Sequence, residues 1–125
     1  MKRTHRFLSK RLLLAAGIIV LVLAVGAGAF FWYVSDYYRA QDTALEVLAQ
    51  GTGISAGDGL TILSPSYATD TALIFYPGAK VEAEAYLPLL DPIRSKGVTC
   101  ILVHMPFHMA IFDPGAAEDV IRQFP

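Results

Sequence analysis

The amino-acid sequence predicts an α/β fold in which a transmembrane helix precedes an incomplete parallel sheet with flanking helices. Three observations carry this prediction. Residues 12–34 contain no charged side chain. Two apolar runs, at residues 72–76 and 98–103, have the composition of strands that are buried on both faces. A helical pattern follows each run, and strands that alternate with helices are typical of a parallel sheet.

The first element is a single membrane-spanning helix over Leu12 to Val34, through which the lipid bilayer is a partner of this chain. At about 1.5 Å per residue it spans roughly 34 Å, enough to cross a hydrocarbon core. Five of the ten Lys and Arg residues lie before it, in residues 2–11. This asymmetry predicts a single-pass protein of the cell membrane with a cytoplasmic N-terminus and an extracytoplasmic remainder.

A cleaved signal peptide is the alternative interpretation of the same segment. Ala27-Gly28-Ala29 has the small residues of a cleavage site after an apolar core. Cleavage near Ala29 would give a secreted protein that begins at Phe30. The apolar run continues without a break to Val34, and this favours the anchor.

The remainder of the chain is acidic. All eleven Asp and Glu residues follow Ser35, together with five Lys and Arg, so this part has a net charge of −6. An acidic segment argues against nucleic acid as a partner and against electrostatic binding to anionic lipid.

Periodicity and turn residues predict the order of the remaining elements. Pro88 and Pro92 fall inside one predicted helix, where each removes a backbone donor, so we expect a kink or break there. The predicted elements are a helix over 36–50, turns over 51–59, a strand over 60–63, a strand over 72–76, a helix over 81–96, a strand over 98–103, an apolar loop over 106–112 and a helix over 115–124. We therefore divide the chain into a cytoplasmic basic tail (1–11), the transmembrane helix (12–34), a membrane-proximal helix with leading strands (35–71) and an α/β domain (72–125).

The end of the strand at 72–76 is the main functional signal. The run stops at Pro77-Gly78, and a helical pattern follows. A strand that ends in a glycine turn before a helix leaves backbone N–H groups free, and such groups can hold an anion or a developing oxyanion.

Residues 73–125 resemble the N-terminal part of an α/β-hydrolase domain, and most closely the dienelactone-hydrolase-like branch found in bacterial membrane-anchored proteins. The residues that carry the resemblance are Leu73–Lys80, Tyr86 and Leu87, Lys96–Val98 and Ile101–Pro106. The resemblance implies a serine-type hydrolase for an ester, lactone or similar small carbonyl substrate. It also implies that the backbone N–H of Ala79 is an oxyanion-hole donor and that Gly78 permits the turn.

In that family the nucleophile, acid and histidine come later in the chain. We therefore expect this chain to be a truncated, inactive form that lacks a nucleophile, acid and base. Residues 53–57 spell Gly-x-Ser-x-Gly, but Ser55 follows a helix end and precedes another turn, which argues against a nucleophile elbow. A non-enzymatic membrane protein with a small extracytoplasmic α/β binding module remains the alternative.

The remaining chemistry-bearing side chains give weaker signals. His104 and His108 have metal-ligand spacing only if they share a helix, and Pro106 between them argues against one. We expect both to line a substrate pocket at the end of a strand, and we expect no metal and no cofactor. Cys100 lies inside an apolar strand and is expected to be a buried thiol.

Overall fold

The computed structural model describes residues 2–67 and 69–124, with side chains from residue 10 onward. The chain forms two compact units, of which the first ends at Ser35 and the second begins at Asp36. The first unit is one helix, α1 (Lys2–Ser35). Its segment Lys10–Ser35 is long and apolar enough to cross a membrane. A segment of this kind serves either as a membrane anchor or as a signal sequence.

The second unit is built on a four-stranded sheet in the order β1-β2-β4-β3. The parallel pair that the sequence predicts is present, since β3 and β4 run parallel and pair Ala72 with Thr99. The leading strands differ, because β1 pairs antiparallel with β2, and β2 pairs antiparallel with β4. The mixed α/β class with a partial sheet is confirmed, but the sheet is mixed rather than wholly parallel. The strands are β1 (Ile54–Gly57), β2 (Leu60–Leu63), β3 (Ala72–Phe75) and β4 (Thr99–Val103).

Alternate residues of β4 point to opposite faces of the sheet. A hydrophobic cluster covers each face. Ile101 and Val103 face a cluster that includes Val120 of α4 (Ala116–Gln123). Cys100 and Leu102 face a second cluster that helices cover from the other side. That cluster contains Leu63, Ala83, Leu87 and Leu90, with Val47 and Leu48 packed against it.

The helix predicted between β3 and β4 is interrupted just before Pro88, as the sequence predicts, whereas Pro92 lies inside the second of the two resulting helices without a break. A 3₁₀ helix (Ala83–Tyr86) precedes α3 (Leu87–Arg94), so the predicted helix over 81–96 is two shorter elements. Pro88 lies in the first turn of α3, where its missing N–H costs no hydrogen bond. The fully buried Leu87 and Leu90 fix α3 against the sheet.

The helix predicted from residue 36 begins later. Helix α2 (Asp42–Gln50) is preceded by extended residues, because Tyr38 forms a parallel bridge with Val81 instead of a helical turn. The predicted apolar loop over 106–112 contains two short 3₁₀ turns, Pro106–His108 and Ala110–Phe112.

Candidate functional site

The loop that joins β3 to the 3₁₀ helix places the predicted oxyanion residues at the carboxyl end of a parallel strand. Pro77 is buried, whereas Gly78 and Ala79 are exposed. Lys80 has a φ of 60°, in the left-handed region that non-glycine residues rarely adopt. The Lys80 N–H donates to the carbonyl oxygen of His108 at 2.8 Å, which holds this conformation in place.

The backbone N–H of Ala79 is available to a ligand. Within the described residues it has no hydrogen-bond acceptor, and the residue is exposed to solvent. Its neighbours on both sides do donate, Gly78 to the hydroxyl of Tyr86 and Lys80 to His108. Between these two donors, the N–H of Ala79 is left without an acceptor among the described residues.

Gly78 is needed for a different reason from the one that the sequence suggested. Its φ is not positive, and the left-handed residue of this loop is Lys80. A Cβ on Gly78 would lie 2.7 Å from the hydroxyl oxygen of Tyr86. The ring of Tyr86 is itself packed against Phe75 with a centroid distance of 4.9 Å. Glycine therefore permits the close approach of a tyrosine hydroxyl to the backbone.

Residues 36–40, which we call the strap, hold the far side of this loop. Tyr38 donates its N–H to the carbonyl of Lys80 at 2.8 Å and accepts the N–H of Glu82 at 2.9 Å. A carboxylate oxygen of Glu82 accepts the N–H of Ala40 at 2.6 Å. Lys80 forms an ion pair with Asp36 at 3.5 Å. The position of the loop thus depends on residues that follow α1 directly.

His104 follows β4 and is fixed by two polar neighbours. Its Nε2 atom lies 2.8 Å from the hydroxyl oxygen of Thr61 and 3.5 Å from a carboxylate oxygen of Glu84. Thr61 is fully buried, so His104 is a hydrogen-bond partner for a hydroxyl that would otherwise be costly to bury. A threonine inside the apolar run Leu60–Leu63 was the sequence signal for this contact.

The structure brings His104 and His108 to one cavity of about 180 Å³. Pro77, Glu82 and Glu84 also line this cavity, so it lies beside the loop that carries Ala79. The ring of His108 stacks on Tyr37 at a centroid distance of 4.0 Å. No group of three His, Cys, Asp or Glu side chains suited to a metal ion occurs in the part of the chain that the structure describes.

The two remaining nucleophilic side chains of interest lie outside this site. Ser55 is exposed in the middle of β1 and pairs with Ile62 across a hairpin, so it does not stand on a strand-to-helix turn. Cys100 is fully buried, and its burial raises the pKa of the thiol, while Arg94 opposes this effect. Neither side chain is placed to attack a carbonyl group held at Ala79.

One family model matches the part of the chain that contains this loop. Residues 72–125 match the model of the Alpha/beta hydrolase family. This match supports an α/β-hydrolase relationship and a hydrolase-type function for the segment that contains β3, β4 and α4. No curated protein and no solved structure gave a significant match.

In α/β hydrolases one oxyanion-hole N–H comes from the loop between the third strand and the following helix. Here β3 is the third strand of the sheet in chain order, and Ala79 lies in the loop that follows it. Sequence reasoning identified this loop but missed Tyr86 as the partner of Gly78, and it missed the strap altogether. Both contacts join residues whose spacing carries no periodic signal.

Proposed function

We propose that the second unit provides the oxyanion-binding side of a membrane-anchored, serine-type α/β hydrolase of the dienelactone-hydrolase-like branch. Its substrate would be an ester, a lactone or a similar small carbonyl compound. The observation that carries the proposal is the exposed Ala79 N–H, which has no acceptor among the residues that the structure describes and lies in the loop after β3 of a segment that matches the family.

The chemistry assigned to the loop is electrostatic. When a serine hydroxyl attacks the substrate carbonyl, the carbonyl oxygen gains negative charge, and the Ala79 N–H donates a hydrogen bond to it. One such donor stabilises the transition state by about 3–4 kcal/mol. The contacts of Gly78 and Lys80 hold the donor in place before the reaction begins, so little reorganisation is needed.

The 125-residue chain itself should be inactive. The described residues place no serine hydroxyl beside a histidine, and Ser55 lies on a hairpin away from the cavity of His104 and His108. We expect the purified chain to show no p-nitrophenyl ester hydrolysis above buffer and no fluorophosphonate labelling. Labelling that disappears in Ser55→Ala would overturn the expected inactivity and identify Ser55 as the nucleophile.

The nucleotide sequence beyond codon 125 tests the hydrolase proposal. A frame that continues into a Gly-x-Ser-x-Gly elbow after a strand supports it. A stop followed by unrelated sequence supports the second candidate, a non-enzymatic membrane protein with an α/β binding module. The lack of a serine–histidine pair among the described residues is the observation that favours this second candidate.

The role of Ala79 is then testable in the product of the continuing frame. Ala79→Pro removes the N–H group, and we expect it to lower kcat by about 10²–10³-fold with little change in KM. Ala79→Ser keeps the N–H and is the matched control. Equal activity of the proline and serine variants would exclude Ala79 as a donor.

The membrane proposal has its own test. If residues 12–34 anchor the chain with a cytoplasmic N-terminus, mass spectrometry of the cellular protein will find residues 2–11 retained. A mature N-terminus at Phe30 would instead identify a signal peptide that is removed.

A further inference from the structure

The loop after β4 exposes an unusual amount of apolar surface. We call Pro106–Phe112 the apolar loop. Ile111 is 79% exposed, Phe112 47% and Phe107 44%. The rings of Phe107 and Phe112 contact each other at a centroid distance of 5.5 Å, so they form one patch. The loop contains no Asp, Glu, Lys or Arg. Contiguous exposed apolar surface of this kind marks a protein or membrane contact.

The position of the apolar loop in the chain favours a membrane over a protein as its partner. His108, in its middle, stacks on Tyr37 at 4.0 Å, and its carbonyl accepts the N–H of Lys80. Tyr37 comes two residues after the end of α1 at Ser35. Two residues span at most about 7 Å of extended chain. The residue on which His108 stacks is therefore separated along the chain by one residue from a segment that is long and apolar enough to cross a bilayer.

The composition also fits a lipid interface. Aromatic and aliphatic side chains are favoured at the boundary between headgroups and acyl chains. The second unit has a net charge of −6, so attraction to anionic lipid cannot hold it at the surface. An uncharged apolar loop binds by burial of apolar area and does not need that attraction.

We infer that the apolar loop is a second membrane contact, in which Phe107, Ile111 and Phe112 enter the bilayer interface. This inference rests on the proposed anchor. It adds that the second unit lies on the lipid surface in one orientation, with the carboxyl end of β4 toward the membrane.

Depth-dependent fluorescence quenching tests the inference. The full-length chain is placed in phosphatidylcholine vesicles, and a nitrobenzoxadiazole label is attached to a new cysteine in the variant Ile111→Cys. Val22→Cys, in the middle of α1, reports insertion of the helix. Tyr67→Cys is the matched control, because Tyr67 is 62% exposed and lies beside Gly97, just before the opposite end of β4. The unaltered chain measures any labelling of the buried Cys100.

We expect nitroxide lipids labelled near the headgroups to quench position 111, with a blue-shifted emission, and to leave position 67 unquenched. Nitroxides deep in the acyl chains should quench position 22. Phe112→Cys gives an independent measurement if Ile111→Cys does not fold. Quenching at 22 without quenching at 111 and 112 would refute the loop contact and leave the anchor standing. No quenching at 22 would refute both, and equal quenching at 67 and 111 would refute the orientation.

Discussion

The hydroxyl oxygen of Tyr86 lies 3.0 Å from the backbone nitrogen of Gly78 and accepts its hydrogen bond. The same oxygen occupies the space that a Cβ on residue 78 would need, at 2.7 Å. One atom thus satisfies the N–H that precedes the proposed oxyanion donor and also dictates glycine at that position.

This geometry predicts a non-additive pair of substitutions. Gly78→Ala should destabilise the second unit by about 1–3 kcal/mol, because Tyr86 is packed against Phe75 and cannot simply move away. Tyr86→Phe alone should cost about 0.5–1.5 kcal/mol for the lost hydrogen bond. In the double variant the nearest ring atom is 4.0 Å from the new Cβ, so the cost of Gly78→Ala should largely disappear. Urea unfolding of the four chains measures the coupling, and strictly additive costs would contradict the contact.

Amide hydrogen exchange should single out Ala79. Its N–H has no acceptor within the described residues, whereas the N–H groups of Lys80 and Glu82 are donated to His108 and Tyr38. We expect Ala79 to exchange fastest of the three, because a hydrogen bond must open before exchange. NMR-detected exchange on the full chain in detergent is the measurement. Protection of Ala79 equal to that of Lys80 would mean that the donor is already occupied.

The strap can be tested through Glu82, whose carboxylate accepts the Ala40 N–H at 2.6 Å. Glu82→Ala should destabilise the second unit by about 1–2 kcal/mol and speed exchange at Ala40, since charge-assisted hydrogen bonds are the stronger ones. Glu82→Gln keeps an acceptor oxygen and should cost less. Glu46→Ala, at an exposed position of α2, is the control and should have little effect. Unchanged exchange at Ala40 in Glu82→Ala would show that the strap is held by other contacts.

Cys100 should behave as a protected thiol whose contribution depends on pH. Burial raises its pKa above the ordinary value of 9.0. The folded state then holds the thiol proton more tightly than the unfolded chain does. Its contribution to stability is therefore fully present below pH 9.0 and is lost as the pH rises through the raised folded value.

The matched comparison is between the unaltered chain and Cys100→Ala. The difference between their unfolding free energies should shrink as the pH rises above about 9, where only the unaltered chain can lose this proton. Maleimide should modify Cys100 only after denaturation. Rapid modification of the folded chain would contradict the burial.

The apolar strands were the most predictable part of this fold. The strand predicted at Leu60–Leu63 has the observed bounds. The bounds predicted at 72–76 and 98–103 differ from those of β3 and β4 by one residue each. Burial leaves a run of mostly apolar residues in β2 and β4, which lie inside the sheet.

The prediction that the strand at 72–76 is buried on both faces was wrong, because β3 lies at the edge of the sheet with Ala72 exposed and its other residues half-buried. Strand β1 was missed because it lies at the edge, with Ser55, Ala56 and Gly57 exposed, so no hydrophobic alternation marks it.

Within the candidate site, only the loop marked by proline and glycine could be predicted from the sequence. Pro77-Gly78 located the loop after β3, but nothing in the sequence indicates the left-handed conformation of Lys80, which comes from its bond to His108. The strap was predicted to be helical because Tyr37 and Ala40 have helical spacing. Its backbone groups instead form hydrogen bonds with the loop after β3. Because these partners lie about 40 residues away, the local sequence carries no signal for them.

The place of β3 at the edge of the sheet has a practical consequence for handling the protein. Its residues Ala72–Phe75 include no charge and no proline, the features that commonly keep an edge strand from pairing with another chain. We expect concentrated preparations to self-associate along this strand, and a lysine at the exposed Ala72 to reduce that tendency.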